Sequence, residues 1–134
     1  MAMDEQSPPR IPPSLRAVPA IRELYWCDFP ADACLPEFWK RRPVLVVSYR
    51  NTLSGAVTVI PCSSQDQSAN PWAFRLTTTI DGAASWAVCD KPTTLSVSRL
   101  TLDRRGRRRL PVPEFEEILA LLLRWLPSLG AGGR

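Results

Sequence analysis

Two stretches of sequence decide the fold: KRRPVLVVS at residues 40–48 and VTVIPCSSQ at residues 57–65. Each contains an apolar, β-branched run, and such runs favour buried strands. Cations precede the first run, and hydroxyls follow the second. If the two strands are neighbours, Arg42 and Ser63 meet at one site. A guanidinium and a hydroxyl side by side are suited to a phosphate group, because both donate hydrogen bonds to its oxygens.

The composition is that of a small globular protein. A chain of 134 residues fits one domain plus a tail, and 45% hydrophobic residues are enough for a core. The net charge of +4 favours polyanions such as nucleic acid, although many basic proteins bind nothing anionic. The chain has no histidine, so a histidine-dependent nucleophile or base is excluded.

Neither a metal nor a cofactor is predicted. The four cysteines (Cys27, Cys34, Cys62 and Cys89) form no CxxC pair, and no histidine can complete a zinc site. Three of them lie inside apolar runs, which predicts buried, reduced thiols. No signal peptide and no apolar run of about 20 residues is visible. We therefore expect a cytoplasmic protein without a membrane segment.

The chain divides into three parts. Residues 1–20 hold five prolines and predict an extended or disordered arm. Residues 21–127 form the domain, and residues 128–134 are a flexible tail. Strands are predicted at 23–29, 44–49, 56–63, 72–80 and 85–90, and residues 93–100 are ambiguous. A tight turn at 103–106 is expected to join two short arms, 100–102 and 107–110.

A helix is predicted over residues 113–126. Pro113 suits its first turn, and six apolar side chains follow helical spacing: Phe115, Ile118, Leu119, Leu122, Trp125 and Leu126. The predicted fold class is α+β, mainly β: five to seven antiparallel strands closed by one C-terminal helix.

The residues that suit phosphate chemistry each allow a plainer interpretation. Pro43 forces Arg42 into an extended conformation, but Arg42 also suits a solvated strand end. Ser63 and Ser64 follow a strand, where serine usually caps a turn. Trp39 and Trp72, like Phe38, are either stacking platforms for unpaired bases or anchors of their loops. Trp26 and Trp86 are most simply core residues.

A basic run and an acidic–basic pair each allow more than one interpretation. The five arginines at 104, 105 and 107–109 contact an RNA backbone, bind an acidic partner or form a solvated face. Asp90 and Lys91, at the end of a predicted strand, either face the same site as Arg42 or form a solvated pair.

Several motifs, taken in order, resemble those of the PemK/MazF family of toxin endoribonucleases from type II toxin–antitoxin systems. The resemblance covers roughly residues 22–126, and its specificity lies in the order and spacing of the motifs. They are LYWCDF at 24–29, RPVLVVS at 42–48, VIPCSSQ at 59–65, SWAVCD at 85–90, SRL at 98–100 and the closing amphipathic helix.

The resemblance implies an SH3-like antiparallel β-barrel, usually a homodimer. It also implies metal-independent cleavage of single-stranded RNA at a short sequence, and neutralisation by a cognate antitoxin protein. The family's catalytic arginine and hydroxyl correspond to Arg42 and Ser63. Residues expected to hold the RNA are Trp39, Lys40, Arg41, Ser64, Gln65, Asn70 and Trp72.

The chain departs from the common family pattern in two places. Residues 35–40, LPEFWK, stand where many members carry a Gly-Ser-Glu-Gln type of loop. Ser63 replaces the commoner threonine, which keeps the hydroxyl. Two other functions remain open: a non-enzymatic toxin of the same fold that inhibits a protein such as gyrase, and a plain SH3-like interaction module.

Overall fold

A computed structural model describes residues 6–129 of the chain. These residues contain eight strands, a short 3₁₀ helix at Val97–Arg99 and one α-helix, α1 (Val112–Trp125). The strands are β1 (Glu23–Asp28), β2 (Arg41–Val46), β3 (Ala56–Ser63), β4 (Ala73–Arg75), β5 (Trp86–Val88), β6 (Thr93–Ser96), β7 (Leu100–Thr101) and β8 (Arg108–Arg109). The described part of the chain has no helix with the length and apolar character of a membrane span.

The strands form an antiparallel sheet that curls into a half-barrel. Their order is β4-β5-β3-β2-β1-β7, with β6 on β3 and β8 on β1. β3 pairs with β6 along its first half and with β5 at its last two residues. Pairing with different neighbours along its length requires the sheet to curve around β3.

Apolar residues fill both faces of the central strands, as their near-continuous hydrophobic sequences require. The helix-side cluster contains Leu24, Leu45, Ile60, Cys62, Phe115, Ile118 and Leu122 among its members. The arm-side cluster contains Leu15, Tyr25, Cys27, Val44, Val46, Val57, Val59 and Leu100 among its members. Alternate residues of β2 and β3 therefore face opposite clusters, and this alternation determines on which face each polar side chain emerges.

The predicted fold class is confirmed: the protein is mainly β, with a curled antiparallel sheet and a C-terminal helix. The strand count is eight rather than five to seven, because the ambiguous stretch 93–100 splits into β6, a 3₁₀ turn and the start of β7. β2 begins at Arg41, three residues before the predicted start. β4 ends at Arg75, well before residue 80.

The predicted hairpin around residues 103–106 is wrong in its pairing. The turn exists, with Gly106 donating its N–H to the carbonyl of Asp103 at 2.8 Å. However, the arms on either side do not pair with each other: β7 and β8 both pair with β1, at different points along it. Residues 102–107 thus form a loop that connects two short strands, β7 and β8, which pair with β1 one after the other.

Part of the basic run serves the fold. Arg107 and Arg109 reach Oε2 of the fully buried Glu23, at 3.4 and 3.3 Å. Arg108 donates to the carbonyl of Thr79 at 2.8 Å. Three of the five arginines therefore contact the protein itself.

Helix α1 begins one residue earlier than predicted and ends at Trp125. Its Glu114 is buried and accepts hydrogen bonds from the N–H and hydroxyl of Thr77, at 2.7 and 2.8 Å. The predicted apolar face is buried only in its first three turns. Trp125 and Leu126, at its last turn, are each 40% exposed.

The segment before β1 lies along the domain without forming a helix or strand in its described part, residues 6–20. Leu15 and Pro19 are buried, and Ser14 donates its hydroxyl to the carbonyl of Leu100 at 2.9 Å. The predicted flexible tail, 128–134, lies outside the described residues from position 130 onward.

Candidate functional site

Arg42 lies at the entrance of β2, directly opposite Cys27 of β1. It is half-buried. Its Nε donates a hydrogen bond to the backbone carbonyl of Trp39 at 2.9 Å, so the loop before the strand fixes the direction of the guanidinium. Burial lowers the pKa of Arg42 from its ordinary value, but an arginine keeps its charge at any working pH. The terminal nitrogens make no hydrogen bond within residues 6–129 and are available to an anion.

Aromatic rings surround this cation. The guanidinium carbon of Arg42 lies 4.9 Å from the ring centre of Phe38 and 6.0 Å from that of Trp39. The ammonium of Lys40 lies 5.0 Å from the ring centre of Trp39. Cations at these distances are attracted to the negative face of an aromatic ring. Phe38, Trp39, Lys40 and Arg42 therefore form one compact group, here called the loop cluster.

Arg41 is not part of the loop cluster. Its guanidinium lies over the ring of Trp26, at 5.2 Å, and Trp26 packs against the helix-side cluster. Successive side chains of a strand point to opposite faces. Arg41 and Arg42 therefore point to opposite faces of the sheet, and the expectation that Arg41 also holds the RNA stays a prediction.

Ser63 ends β3 on the same face as Arg42. The β2–β3 ladder sets Val44 opposite Pro61, and the same register, continued by two residues, sets Arg42 opposite Ser63. Val44 and Val59 belong to the arm-side cluster, and alternation along each strand directs Arg42 and Ser63 to that face. The paired segments of the sequence thus lie at one end of one face of the sheet.

The Ser63 side chain also has the turn role that serine usually plays at a strand exit. Its Oγ accepts a hydrogen bond from the N–H of Gln65 at 3.1 Å, and the residue is only 3% exposed. The hydroxyl keeps its own hydrogen for a second bond. Ser64 and Gln65, the next two residues, are exposed.

Asn70 and Trp72 are held at the far end of β5. Asn70 accepts from the N–H of Trp72 at 2.9 Å and donates to Asp90 at 3.4 Å. The N–H of Cys89 donates to the carbonyl of Trp72 at 2.9 Å. Ser63 instead lies opposite Trp86, at the beginning of β5. The predicted binding residues therefore divide into the loop cluster with Ser63 and a separate Asn70–Trp72–Asp90 group.

Two residues that were not predicted for the site lie across the sheet from Ser63, on the neighbouring strands. Trp86 is opposite Ser63 on β5, and Arg75 is opposite Trp86 on β4. Directly paired residues share a face of the sheet, so an exposed arginine and a half-buried tryptophan extend this face beyond Ser63. The sequence predicts Trp26 and Trp86 as core residues, whereas the structure leaves both half-buried. Arg75 lies within the predicted strand 72–80, where no sequence signal distinguishes it as a site residue.

No group of three or more potential metal ligands (histidine, cysteine, aspartate or glutamate) occurs within residues 6–129. What this face offers chemically is donors: a guanidinium fixed in direction, a hydroxyl and further cations. Such groups stabilise negative charge on a bound phosphate.

The fold recurs in solved structures of MazF toxins. A MazF crystal structure (Form-I) from Deinococcus radiodurans superposes with a TM-score of 0.64 at 23% identity, over 79% of this chain and 94% of that one. An endoribonuclease in complex with its cognate antitoxin, from a mycobacterial species, gives 0.61 at 19% identity, over 82% and 98%. The toxin MazF-mt6 of Mycobacterium tuberculosis gives 0.59 at 16% identity, over 78% and 95%.

The half-barrel with its C-terminal helix is therefore a MazF-like fold. The chain belongs to the family of PemK-like, MazF-like toxins of type II toxin–antitoxin systems, whose model matches residues 21–126. Among curated proteins no significant match is found.

Proposed function

We propose that this toxin is an endoribonuclease that cleaves single-stranded RNA at a short sequence without a metal ion. The observation that carries the proposal is the placement of Arg42 on the same face and at the same end of the β2–β3 pair as Ser63, with its guanidinium held by the Trp39 carbonyl at 2.9 Å. One of the structural neighbours is an endoribonuclease, and it shares this fold.

The cleavage would be an intramolecular transesterification of the RNA. The ribose 2′-oxygen attacks the adjacent phosphorus and gives up its proton, the bond from phosphorus to the 5′-oxygen breaks, and that oxygen leaves as a hydroxyl after gaining a proton. The products are a 2′,3′-cyclic phosphate and a 5′-hydroxyl end. Arg42 stabilises the charge that develops on the phosphate oxygens, and Ser63 donates its free hydroxyl hydrogen to one of them.

The remaining groups would position the strand. Trp39 and Lys40 hold a nucleotide beside Arg42, by stacking and by charge. The exposed Ser64 and Gln65, with Asn70 and Trp72 further along, contact nucleotides on the other side of the cut. Arg75 and Trp86 lie across the sheet from Ser63 on the neighbouring strands and suit the same RNA strand. Positioning of this kind supplies much of the rate when no histidine is present.

The partners proposed for this chain follow from its family. Three of the structural neighbours are complexes: two forms of MazE–MazF from Deinococcus radiodurans, and an endoribonuclease with its cognate antitoxin from a mycobacterial species. We expect this chain to be a cytoplasmic homodimer that a cognate antitoxin neutralises.

The test is an RNA cleavage assay in EDTA with analysis of the ends produced. Wild-type protein is expected to leave cyclic phosphates. Arg42→Ala is expected to lose about two to three orders of magnitude in rate, the usual cost of removing a donor to the developing charge, while keeping the wild-type circular dichroism spectrum. Arg124→Ala removes the same charge from the exposed end of α1 and is the matched control.

Three outcomes would contradict the proposal. A folded Arg42→Ala protein with full activity would remove Arg42 from the mechanism. Intact RNA combined with inhibited DNA supercoiling would favour the gyrase-type toxin. Intact RNA with no effect on supercoiling would favour the interaction module.

A further inference from the structure

Lys40, the residue before β2, has a backbone conformation that side chains rarely adopt. Its φ angle is +60°, in the left-handed region where a Cβ atom crowds the neighbouring carbonyl oxygen. Lys40 is exposed, so burial of its own side chain does not hold it in this conformation. A strained conformation persists only where surrounding contacts determine it, and here those contacts are made by the residues on either side.

The two carbonyl groups on either side of the Lys40 Cα atom have different partners. The carbonyl of Lys40 accepts a hydrogen bond from the N–H of Phe29 at 3.3 Å and so continues the β1–β2 ladder. The carbonyl of Trp39 accepts from Nε of Arg42 at 2.9 Å. In extended backbone, carbonyls lie in the plane of the sheet and side chains stand perpendicular to it. The positive φ of Lys40 therefore turns the Trp39 carbonyl out of that plane, toward the Arg42 side chain.

The same turn of the chain brings two aromatic rings to the Arg42 guanidinium. The guanidinium carbon lies 4.9 Å from the ring centre of Phe38 and 6.0 Å from that of Trp39. If residues 38–42 were extended, the Cα atoms of Phe38 and Arg42 would be about 13 Å apart, at roughly 3.3 Å per residue. The turn at Lys40 folds both rings back toward Arg42, so one backbone conformation determines its hydrogen bond and its ring contacts.

We propose that Lys40 is a positioning residue for Arg42. Its left-handed conformation holds the Trp39 carbonyl against Nε, and the terminal nitrogens of Arg42 then face the bound phosphate. The ammonium of Lys40, 5.0 Å from the ring centre of Trp39, contributes to RNA binding but not to this positioning. The inference rests on the proposed RNA-cleaving function and adds to it a requirement on the backbone at residue 40.

Three substitutions separate the conformation of residue 40 from its charge: Lys40→Gly, Lys40→Asn and Lys40→Val. All three remove the ammonium. Glycine adopts positive φ freely, asparagine adopts it more readily than most residues, and the β-branched valine adopts it only with strain. We therefore expect KM to rise by the same factor in all three. The kcat is expected to stay close to wild type for glycine and asparagine, and to fall about ten- to hundredfold for valine, because a misplaced catalytic group has a cost of this order.

Arg50 supplies the matched control. It is also a cation with a positive φ, +56°, and it lies in the exposed turn beyond the other end of β2. Arg50→Val is expected to lower the melting temperature about as much as Lys40→Val does, and to leave kcat unchanged. Activities are compared at a temperature at which every variant is folded. Equal kcat values for Lys40→Gly and Lys40→Val, or an equal fall in Lys40→Val and Arg50→Val, would overturn the proposal.

A second measurement does not depend on cleavage. The Nε–H proton of Arg42 is observed by NMR in isotope-labelled protein and is assigned by its absence from Arg42→Ala. Because a hydrogen-bonded proton exchanges slowly with water, exchange is expected to be slow in wild type and in Lys40→Gly, and at least several-fold faster in Lys40→Val. Lys40→Ala, which introduces less strain, replaces Lys40→Val if that variant does not fold. The same exchange rate in every folded variant would contradict the role assigned to Lys40.

The two measurements distinguish this inference from the proposed function. If exchange of the Arg42 Nε–H depends on residue 40 as expected but wild-type protein never cuts RNA, Lys40 positions the arginine and the nuclease proposal fails. If RNA is cut and Lys40→Val has the kcat of Lys40→Gly, the nuclease stands and the inference about Lys40 is wrong.

Discussion

At the scale of single residues, the site depends on what surrounds each polar group. Ser63 shows this best, because its buried Oγ both accepts from the N–H of Gln65 and is proposed to donate to phosphate. Ser63→Ala removes both interactions. We expect a stability loss of about 1 kcal/mol, the usual net value of such a hydrogen bond, and a fall in cleavage rate of about two orders of magnitude.

Ser63→Thr separates the two roles of Ser63. It keeps the hydroxyl and adds a methyl group at a site that is only 3% exposed. It is therefore expected to lower the melting temperature while largely preserving the cleavage rate. Thermal denaturation and single-turnover cleavage measure the two quantities. If Ser63→Ala cleaves as fast as wild type at equal folded fraction, the serine only caps the turn.

Glu23 is a fully buried carboxylate at the start of β1, and it makes stability depend on pH. Burial alone would raise the pKa of Glu23. The hydrogen bonds from Tyr25, the Ala20 N–H and Arg109, together with the charge of Arg107, outweigh burial and lower the pKa of Glu23. The same burial, and the bond to Glu23, raise the pKa of Tyr25. The ionised carboxylate therefore stabilises the folded state.

Because the native pKa of Glu23 lies below its ordinary value of 4.5, its contribution is complete above that pH and is lost as the pH falls through the native value. Glu23→Gln should unfold at lower urea concentration than wild type at neutral pH, and the gap should narrow below pH 4.5. Breaking a buried charge network of this kind costs about 3–5 kcal/mol. Glu117→Gln, on the exposed face of α1, is the control. A gap that stays constant down to the acid transition would contradict the role assigned to Glu23.

At the scale of secondary-structure elements, α1 is attached to the sheet by its first turn. Glu114 binds both the N–H and the hydroxyl of Thr77, and its charge also suits the positive end of the helix. Glu114→Ala is expected to destabilise the protein by about 1.5–3 kcal/mol, the range for hydrogen bonds to a charged group. Glu116→Ala removes an exposed carboxylate two residues later and should change stability by less than about 0.5 kcal/mol. Equal losses in the two variants would show that the contact with Thr77 contributes nothing specific.

The same contact shows why some elements were predictable and others were not. β3 and most of α1 followed from local patterns, since an apolar β-branched run and helical spacing are visible in the sequence. The prediction made β4 too long because the chain leaves the strand after Arg75. Thr77 then contacts Glu114, which lies 37 positions after it in the sequence. The arms around Gly106 carry a hairpin signal, but both pair with β1, and a turn signal contains no information about distant partners.

The candidate site divides in the same way. The extended conformation of Arg42 and the turn role of Ser63 were readable from neighbouring residues. The separation of Arg41 from Arg42 and the bond between Asn70 and Asp90 depend on which strands pair and in which register. Those pairings are set by the whole sheet, and no short stretch of sequence specifies them.

At the scale of the whole molecule, the positive charge is unevenly used. Arg107 and Arg109 are engaged by Glu23, so the net charge of +4 overstates what the basic run offers to RNA. Lys40 and Arg42 instead lie together in the loop cluster, on the face that carries Ser63. Attraction of RNA should therefore be focused on this face and should weaken as salt rises.

The absence of histidine from the whole chain makes a prediction about the pH profile of cleavage. Imidazole is the side chain whose unperturbed pKa, about 6.5, lies in the physiological range. Burial raises the pKa of Cys27, Cys62 and Cys89 to about 12, so these thiols stay protonated there. The logarithm of the single-turnover rate should therefore show no inflection near pH 6.5. The measurement is made on wild type and on Cys34→Ser, which removes the exposed thiol. An inflection near that pH in both proteins would mean that a titrating general base takes part, and that Arg42 and Ser63 do not account for the chemistry alone.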